Sequence, residues 1–395
     1  MIARRRLVLS VVGTRPNLMK TAPVIAALAG RGDAFTHVLV HTDQHYDERM
    51  SQIFLEELGV GPPDFSLDVG SGSHAYQTAR IMERLESVLL DVGPDLVLVP
   101  GDVNSTMAAA LVACKLLIPV GHIEAGLRSF DRTMPEEINR VVTDQVSDLL
   151  FTHSPEAAEH LAAEGVAAEK VHPVGNTMID TLVAMQGRIA AADAAAAHGL
   201  SGGDYLVVTL HRPSLVDGPL LAQTLDELHA LSKVMPVVFP AHPRTQGAMR
   251  ELGAEPAGER LRILPPLGYV EFLSLMSSAG AVLTDSGGIQ EETTFLGVPC
   301  FTLRDNTERP VTVTMGTNVL LGLAPARIGE IPSLIESVRR RSPRLAPGWD
   351  GRAAERIAEV LATVPLRTPS VSGVSGAVPA RYGARGESSG QMRRP

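Results

Sequence analysis

Two glycines separate an apolar run from a group of acidic residues in the stretch LTDSGGIQEETTFLG, residues 283–297. The run before them is typical of a strand, and the residues after them are typical of a helix. A strand that turns through glycines into a helix leaves unpaired N–H groups at the positive end of the helix dipole, where phosphate binds well. Ser286, Gly287 and Gly288 therefore indicate either a phosphate site or a glycine-softened loop with an N-cap.

Polar and charged residues follow the other apolar runs of the chain in the same way. They are Arg15, Lys20, Gln44, Asp102, Glu124, Glu136, His211 and His242. Several have ordinary structural explanations, because Asp102 read alone is more often an N-cap and Glu136 suits the first turn of any helix. Taken together, cations and carboxylates around one anion site are typical of a diphosphate ligand that undergoes acid and base chemistry.

Two other kinds of site are disfavoured. The histidines lack metal-ligand spacing such as His-Glu-x-x-His, so we expect no metal. The stretch VVGTRPNL has a single glycine where a dinucleotide-binding motif has three, which weakens an oxidoreductase hypothesis. No redox cofactor is therefore expected.

The elements that must position these residues alternate along the whole chain. Runs of Val, Leu and Ile separated by helical patterns predict parallel sheets covered on both faces, and 395 residues suggest two domains. We predict an α/β fold with two doubly wound, Rossmann-like domains, at 1–175 and 176–349, and a helix at 350–365 that completes the first domain. Since ligands bind at the carboxyl ends of parallel strands, the cleft between the domains is the expected site.

Composition limits the function further. A net charge of -9 disfavours nucleic acid as a partner, and no apolar stretch reaches the ~20 residues of a membrane helix. Cys114 and Cys300 lie in apolar stretches and are interpreted as buried thiols, which fits a reducing cytoplasm. Residues 366–395 are rich in Gly, Ser, Pro and Arg, and we predict that this tail is disordered.

Several motifs in this order closely resemble the bacterial UDP-N-acetylglucosamine 2-epimerases of the non-hydrolysing type. They are GTRPNLMK, GDVNSTMAAA, GHIEAGLRS, PEEINR, TLHRP, DSGGIQEE and RDNTERP, and the resemblance runs from about residue 8 to residue 365. It implies a GT-B-like fold, a homodimer, and interconversion of UDP-N-acetylglucosamine and UDP-N-acetylmannosamine without NAD or metal. The implied route eliminates UDP to give 2-acetamidoglucal, returns a proton to the opposite face of C2, and adds UDP back.

The resemblance also implies roles for individual residues. Asp102, Glu124 and Glu136 are the implied acid and base carboxylates, and His211 is a phosphate contact or the acid for the leaving group. The implied substrate contacts are Arg15, Lys20, Gln44, His242, Ser286, Gly287, Gly288, Glu292 and Arg309. Among these, Glu292 is implied to bond the ribose hydroxyls of UDP.

Some positions depart from the family pattern. Asn17 stands where many members have Glu, Pro213 and Ser214 replace Arg-Glu, and Tyr46 and Tyr76 flank the region that holds an allosteric activator in some members. Allosteric activation and the sugar substituents therefore stay open. So do three rival functions: a hydrolysing epimerase that releases N-acetylmannosamine, a GT-B glycosyltransferase, and a non-catalytic UDP-sugar sensor.

Overall fold

Buried strands rich in Val, Leu and Ile form two separate parallel sheets in the computed structural model, which describes residues 4–44, 54–253 and 260–366. The tail beyond residue 366, predicted to be disordered, lies outside the described residues, and so does Tyr46. In the described part of the chain, no helix combines the length and apolar character needed to cross a membrane.

The first sheet has seven strands in the order β3-β2-β1-β4-β5-β6-β7. Its strands are β1 Arg6–Val12, β2 Phe35–His41, β3 Phe65–Ser66, β4 Leu96–Pro100, β5 Val120–Ala125, β6 Leu149–Thr152 and β7 Val171–Pro173. Its helices are α1 Arg15–Ala29, α2 His74–Val92, α3 Asn104–Lys115, α4 Pro135–Val146 and α5 Pro155–Ala163. The order reverses between β1 and β4, which is where a doubly wound sheet opens a crevice for ligands.

The second sheet has six strands in the order β10-β9-β8-β11-β12-β13. Its strands are β8 Leu206–Thr209, β9 Val237–Pro240, β10 Leu261–Leu264, β11 Ala281–Thr284, β12 Cys300–Thr302 and β13 Asn318–Leu320. The remaining helices are α6 Thr177–Ala192, α7 Ala194–Ala197, α8 Pro213–Val216, α9 Leu220–Ser232, α10 Pro243–Glu251, α11 Tyr269–Ser277, α12 Gly287–Leu296, α13 Val311–Thr314, α14 Ile331–Arg340 and α15 Ala353–Thr363. Here the switch point lies between β8 and β11.

The last helix returns to the first sheet. Ile357 and Leu361 of α15 are fully buried in a core that also contains Val8 of β1 and Phe151 of β6. The two carboxylate oxygens of Asp180 accept hydrogen bonds from the first N–H groups of α15, so α6 and α15 are joined where the chain passes between the sheets. A helix at Ala353–Thr363 therefore lies within the range 350–365 and packs on the first sheet.

The chain crosses between the sheets twice, and the crossings touch. Gly175 and Gly348 lie back to back with positive φ angles of 94° and 80°, a conformation that suits glycine. Arg356 Nη1 donates to Val174 O at 3.0 Å and to Gly348 O at 3.4 Å, which fastens both crossings to each other.

Sequence reasoning predicted this two-domain, doubly wound fold, and the structure confirms it. The strands that it missed are β3 and β13, which have two and three residues. Segments this short carry too few residues for a hydrophobic period. The expectation that both thiols are buried is correct for Cys300 only, because Cys114 is partly exposed.

Candidate active site

Glu124 occupies an unusual backbone position at the end of β5. Its φ is +71°, and the register of β5 against β6 shifts between Ile123 and Ala125, which marks a bulge. A non-glycine residue at positive φ is strained, and such strain persists where the surrounding structure holds a side chain in a required direction. The bulge turns the Glu124 carboxylate, only 6% exposed, into the space between the two sheets.

Two cations from different domains hold that carboxylate. Lys20 Nζ from α1 binds Glu124 Oε2, and Arg309 Nη2 from the loop after β12 binds Oε1 at 2.8 Å. Burial alone would raise the pKa of Glu124, but the charges of Lys20 and Arg309 outweigh it and keep that pKa below its ordinary value. The cleft therefore contains a buried carboxylate that stays ionised.

Arg309 connects the second domain to the first through several carboxylates. Besides Glu124, its guanidinium lies 2.8 Å from Glu291 Oε1 and 2.5 Å from Glu308 Oε1. Glu291 in turn lies 3.0 Å from His153 Nε2, which belongs to the first domain. These carboxylates raise the pKa of Arg309 well above its ordinary value, although burial opposes them. The guanidinium is thus fully engaged by protein carboxylates.

The same cluster has the composition of a metal site. Ligand atoms of Glu124, His153 and Glu291 all lie within 4.8 Å of one another. However, Lys20 and Arg309 already neutralise these carboxylates at contact distance, and both cations would repel a metal ion. The arrangement fits an internally compensated ion network better than a metal centre.

A second ionic group lies beside Glu124. Asp102, after β4, pairs with Arg140 Nη1 of α4 at 2.6 Å, and Arg140 Nη2 also binds Glu137 Oε2 at 2.8 Å. Asp102 keeps 23% of its side chain exposed, whereas Arg140 is buried. Glu136, in the first turn of α4, is half-buried, and its charge favours the charged form of Arg212, although burial and Arg304 lower the pKa of Arg212 overall.

The anion site predicted at Ser286 faces these carboxylates. Ser286 is the N-cap of α12, and its side chain makes no capping hydrogen bond to the first turn of that helix. A methyl group on Gly287 would lie 2.3 Å from Arg309 Nη1, whereas one on Gly288 would meet only Met178 Cε at 3.3 Å. Gly287 therefore also makes room for Arg309, a role that the sequence did not indicate.

Glu292 lies one turn into α12 and is fully buried. Tyr269 Oη donates a hydrogen bond to Glu292 Oε1 at 2.9 Å. Burial and the neighbouring charge of Glu291 raise the pKa of Glu292 to about 8, although the Tyr269 hydrogen bond opposes them. Burial thus favours the neutral carboxylic acid form of Glu292 near neutral pH.

Two of the remaining predicted contacts, Arg15 and His242, are exposed, and the third, Gln44, is buried. Arg15 is exposed at the first turn of α1, with its guanidinium 5.5 Å from the ring centroid of Phe54. His242 is the exposed N-cap of α10. Gln44 is buried and accepts a hydrogen bond from Ser105 Oγ, so its side chain serves the first domain's own packing.

Asn17 shows how the chain accommodates one departure from the family pattern. Its Oδ1 lies 3.2 Å from the N–H groups of Gly13 and Thr14, and its Nδ2 donates to Pro100 O at 2.9 Å. An amide does this with both a donor and an acceptor, and it adds no charge beside Lys20. Glu124 is consequently the carboxylate that Lys20 contacts among the described residues.

The structure brings Lys20, Asp102, Glu124, Glu136, His211 and the start of α12 to one cleft, and it leaves Arg15 and His242 at the rim. Sequence reasoning assigned no site role to the residues that pair with them, namely Arg140, His153, Asp285, Glu291, Glu308 and Tyr269. These partners sit inside helices or next to stronger motif residues, and each has an ordinary structural explanation when it is read alone. Only the pairing of these side chains with the predicted site residues indicates that they contribute to the site.

The two doubly wound domains define a GT-B-like α/β protein. A carboxylate group lies on one side of the cleft between them, and the N-terminus of α12 lies on the other. The model of the UDP-N-acetylglucosamine 2-epimerase family matches residues 27–362. The chain therefore belongs to the UDP-N-acetylglucosamine 2-epimerase family, whose members are isomerases.

Named relatives come from both archaea and bacteria. The UDP-N-acetylglucosamine 2-epimerase of Methanococcus maripaludis is 44% identical over 87% of this chain and 95% of its own. The UDP-2,3-diacetamido-2,3-dideoxy-D-glucuronate 2-epimerase of Pseudomonas aeruginosa is 42% identical over 90% of this chain and 99% of its own. The motifs suggested a resemblance to bacterial members of the family, but similar members also occur in archaea.

Solved structures agree with the fold. The UDP-GlcNAc 2-epimerase of Methanocaldococcus jannaschii, in complex with UDP-GlcNAc and UDP, matches with a TM-score of 0.81 at 39% identity, over 90% of this chain and 99% of that one. A glycotransferase of kitacinnamycin matches with a TM-score of 0.54 at 14% identity, over 91% of this chain and 98% of that one, which shows a shared fold alone.

Proposed function

We propose that this protein interconverts UDP-N-acetylglucosamine and UDP-N-acetylmannosamine by the non-hydrolysing route. The single observation that carries the proposal is that the carboxylates of Asp102 and Glu124 lie across one cleft from a helix N-terminus at Ser286 that has no side-chain cap. The carboxylates supply acid and base groups, and the helix end supplies N–H groups for a diphosphate.

In the proposed reaction a carboxylate removes the proton at C2 while the bond between C1 and the UDP oxygen breaks. The bonding electrons of C1–O leave with UDP, and the C2–H electrons form the C1–C2 double bond of 2-acetamidoglucal. A proton then returns to the opposite face of C2 as UDP adds to C1. The C2 proton is too weakly acidic to leave alone, so stabilising the departing diphosphate is essential.

Residue roles follow from this chemistry. Asp102 is the leading candidate for the C2 base, Glu124 and Glu136 are its partners on the other face, and His211 acts on the leaving diphosphate. The proposed substrate contacts are Arg15, Lys20, Gln44, His242, Ser286, Gly287, Gly288, Glu292 and Arg309. For Arg309, the three carboxylate contacts support an indirect role in which it fixes Glu124 beside the substrate.

The proposal also covers the domains, the oligomeric state and the cofactor requirement of the protein. Residues 1–175 with the helix at 350–365 form one domain, and residues 176–349 form the UDP-binding domain. We expect a homodimer that works in the cytoplasm without a metal or redox cofactor. The network of Lys20 and Arg309 around Glu124 supports the last point, because it fills the positions that a metal would need.

A modified UDP-hexosamine is the second candidate substrate. The relative from Pseudomonas aeruginosa, named for a diacetamido glucuronate, is almost as similar to this chain as the relative from Methanococcus maripaludis. The reaction at C2 would be the same, and only the groups that contact C3 and C6 of the sugar would differ.

The test is to incubate the purified protein with UDP-N-acetylglucosamine and follow the products by ³¹P NMR and anion-exchange chromatography. The proposal predicts a stable mixture of two UDP-sugars with no free UDP accumulating. Stoichiometric UDP and free N-acetylmannosamine would instead show a hydrolysing enzyme. If UDP-N-acetylglucosamine is unchanged and the UDP-diacetamido glucuronate turns over, the second substrate is correct.

A further inference from the structure

Asp285 links the two strands at the switch point of the second sheet. It follows β11 directly and is fully buried, at 0% exposure. Its Oδ2 accepts hydrogen bonds from the N–H groups of His211 and Arg212, at 2.8 and 2.7 Å. Its Oδ1 lies 2.8 Å from Nδ1 of the His211 ring. One carboxylate therefore fixes both the backbone and the imidazole of His211.

The other side of the imidazole is left for a ligand. Half of the His211 side chain is exposed, and no described residue binds its Nε2. Since the carboxylate of Asp285 faces Nδ1, the proton of neutral imidazole lies on Nδ1, and Nε2 carries a proton only when the ring is positively charged. A donor at Nε2 is thus necessarily an imidazolium.

The charges around this pair determine how it ionises. Burial alone would raise the pKa of Asp285, but its hydrogen bonds from His211 and from the two N–H groups outweigh burial and lower that pKa. Arg212, on the same loop, is near Arg304 and Glu308 of the loop after β12, and near Glu136 of α4. The carboxylate of Asp285 is therefore ionised. It is also the carboxylate that contacts the imidazole ring of His211.

We propose that Asp285 is a positioning residue that holds His211 as an Nδ1-protonated imidazole and stabilises its imidazolium, so that Nε2 donates a proton to the leaving diphosphate. This inference rests on the proposed function. When the bond between C1 and the phosphate oxygen breaks, the Nε2 proton moves to a phosphate oxygen of UDP and leaves neutral imidazole. The same proton returns to Nε2 when UDP adds to C1 again, so no other reactant is needed.

The first test reads the tautomer directly in the wild-type protein. With ¹⁵N-labelled histidine, NMR of the protein with and without UDP should show the neutral form of His211 protonated at Nδ1 and unprotonated at Nε2. The His211→Gln variant assigns the signals. A neutral ring that carries its proton on Nε2 would overturn the proposal, whether or not the enzyme turns over.

The second test is a double-mutant cycle on kcat with Asp285→Asn and His211→Gln. The side-chain amide of asparagine donates to Nδ1 and cannot stabilise the imidazolium, so kcat should fall by about 10²-fold and the alkaline limb of its pH profile should move to lower pH. When His211→Gln is already present, adding Asp285→Asn should lower kcat by less than about threefold.

Additive losses across the cycle, with an unmoved pH profile, would mean that Asp285 only supports the loop, and the proposal would be wrong. Thermal unfolding of each variant identifies loss of the fold, and if Asp285→Asn does not fold, the wild-type tautomer measurement decides. If wild-type enzyme does not epimerise any UDP-sugar, the proposed function fails, whereas the tautomer measurement still decides the arrangement of the pair.

Discussion

At the scale of single residues, the cleft keeps some buried carboxylates charged and others neutral. Glu124 stays ionised because Lys20 and Arg309 contact its two oxygens, whereas Glu292 receives only a hydroxyl donor from Tyr269. The same residue type thus carries opposite protonation states a short distance apart. These opposite states follow from the partners of each carboxylate, because nearby cations favour the charged form and burial favours the neutral form.

Asp102→Asn should lower kcat by about 10² to 10⁴-fold while UDP affinity in calorimetry changes by less than about threefold. The asparagine oxygen can still accept from Arg140, so the local packing survives, but the amide cannot remove a proton. Asp217→Asn is the control, because it alters an exposed aspartate paired with Arg244. A rate for Asp102→Asn within tenfold of wild type would move the base to another carboxylate.

Glu292 should make stability depend on pH. Its pKa is raised to about 8 in the folded protein, so the native state binds more protons than the unfolded chain between about pH 4.5 and pH 8. The contribution of Glu292 to the free energy of unfolding is complete below about pH 4.5 and is lost as the pH rises through about 8.

In urea unfolding, wild type should therefore lose up to about 4 kcal/mol relative to Glu292→Gln between pH 4.5 and pH 8. The amide cannot ionise and keeps the Tyr269 hydrogen bond. Parallel pH dependences in the two proteins would show that Glu292 is already ionised in the folded state.

At the scale of secondary-structure elements, the start of α12 combines two tasks. Its N-cap side chain makes no capping bond, which leaves its N–H groups for the proposed diphosphate, and its first residue packs against the guanidinium that reaches Glu124. Helix N-termini that bind anions commonly begin with glycine so that a ligand can approach. Here Arg309 approaches one of the glycines, which links the proposed anion site to the proposed acid and base site.

Gly287→Ala should therefore damage catalysis more than Gly288→Ala. The added methyl group would lie 2.3 Å from Arg309 Nη1 and 2.6 Å from Glu308 Oε1, whereas at Gly288 the nearest atom is 3.3 Å away on flexible Met178. We expect a loss of about 1 to 3 kcal/mol in unfolding free energy for Gly287→Ala, measured in urea, together with lower kcat. Equal effects of both changes would mean that Arg309 can move aside freely.

Sequence patterns predicted the elements well and the pairings poorly. Long apolar strands such as β1 and β4 have a clear pattern, and glycine turns such as that before α12 have a backbone reason that can be recognised. In contrast, the contact between Glu124 and Arg309 joins residues 185 positions apart, and no local pattern encodes it. The same holds for Asp285 and His211, whose proximity depends on β8 and β11 being neighbours in the sheet.

At the scale of the whole molecule, the two chain crossings between the sheets are joined next to Gly175. Both crossings touch at glycine backbones, and Arg356 bonds to carbonyls on each of them. The site is assembled from both domains, since Glu124 belongs to one and Arg309 to the other. Domain position and catalytic geometry are therefore coupled.

Gly175→Ala should weaken this arrangement, because the methyl group would lie 2.0 Å from Gly348 O at a φ of 94°. Gly165→Ala is a matched control, with a similar φ of 79° and no atom within 4 Å. Both variants carry backbone strain of about 1 kcal/mol, and only the first carries the clash. Differential scanning calorimetry should show a clearly larger loss of thermal stability for Gly175→Ala than for Gly165→Ala. Equal losses of thermal stability would mean that the two crossings can separate without cost.

The most direct test of the account as a whole is exchange at C2 of the sugar. The enzyme is incubated in D₂O with UDP-N-acetylglucosamine, and both UDP-sugars are recovered and examined by mass spectrometry and ¹H NMR. The account predicts one deuterium at C2 in the UDP-N-acetylmannosamine formed, and in the returned UDP-N-acetylglucosamine as equilibrium is approached. Epimerisation with the original C2 hydrogen retained would contradict it, because no carboxylate in the cleft would then have exchanged that proton.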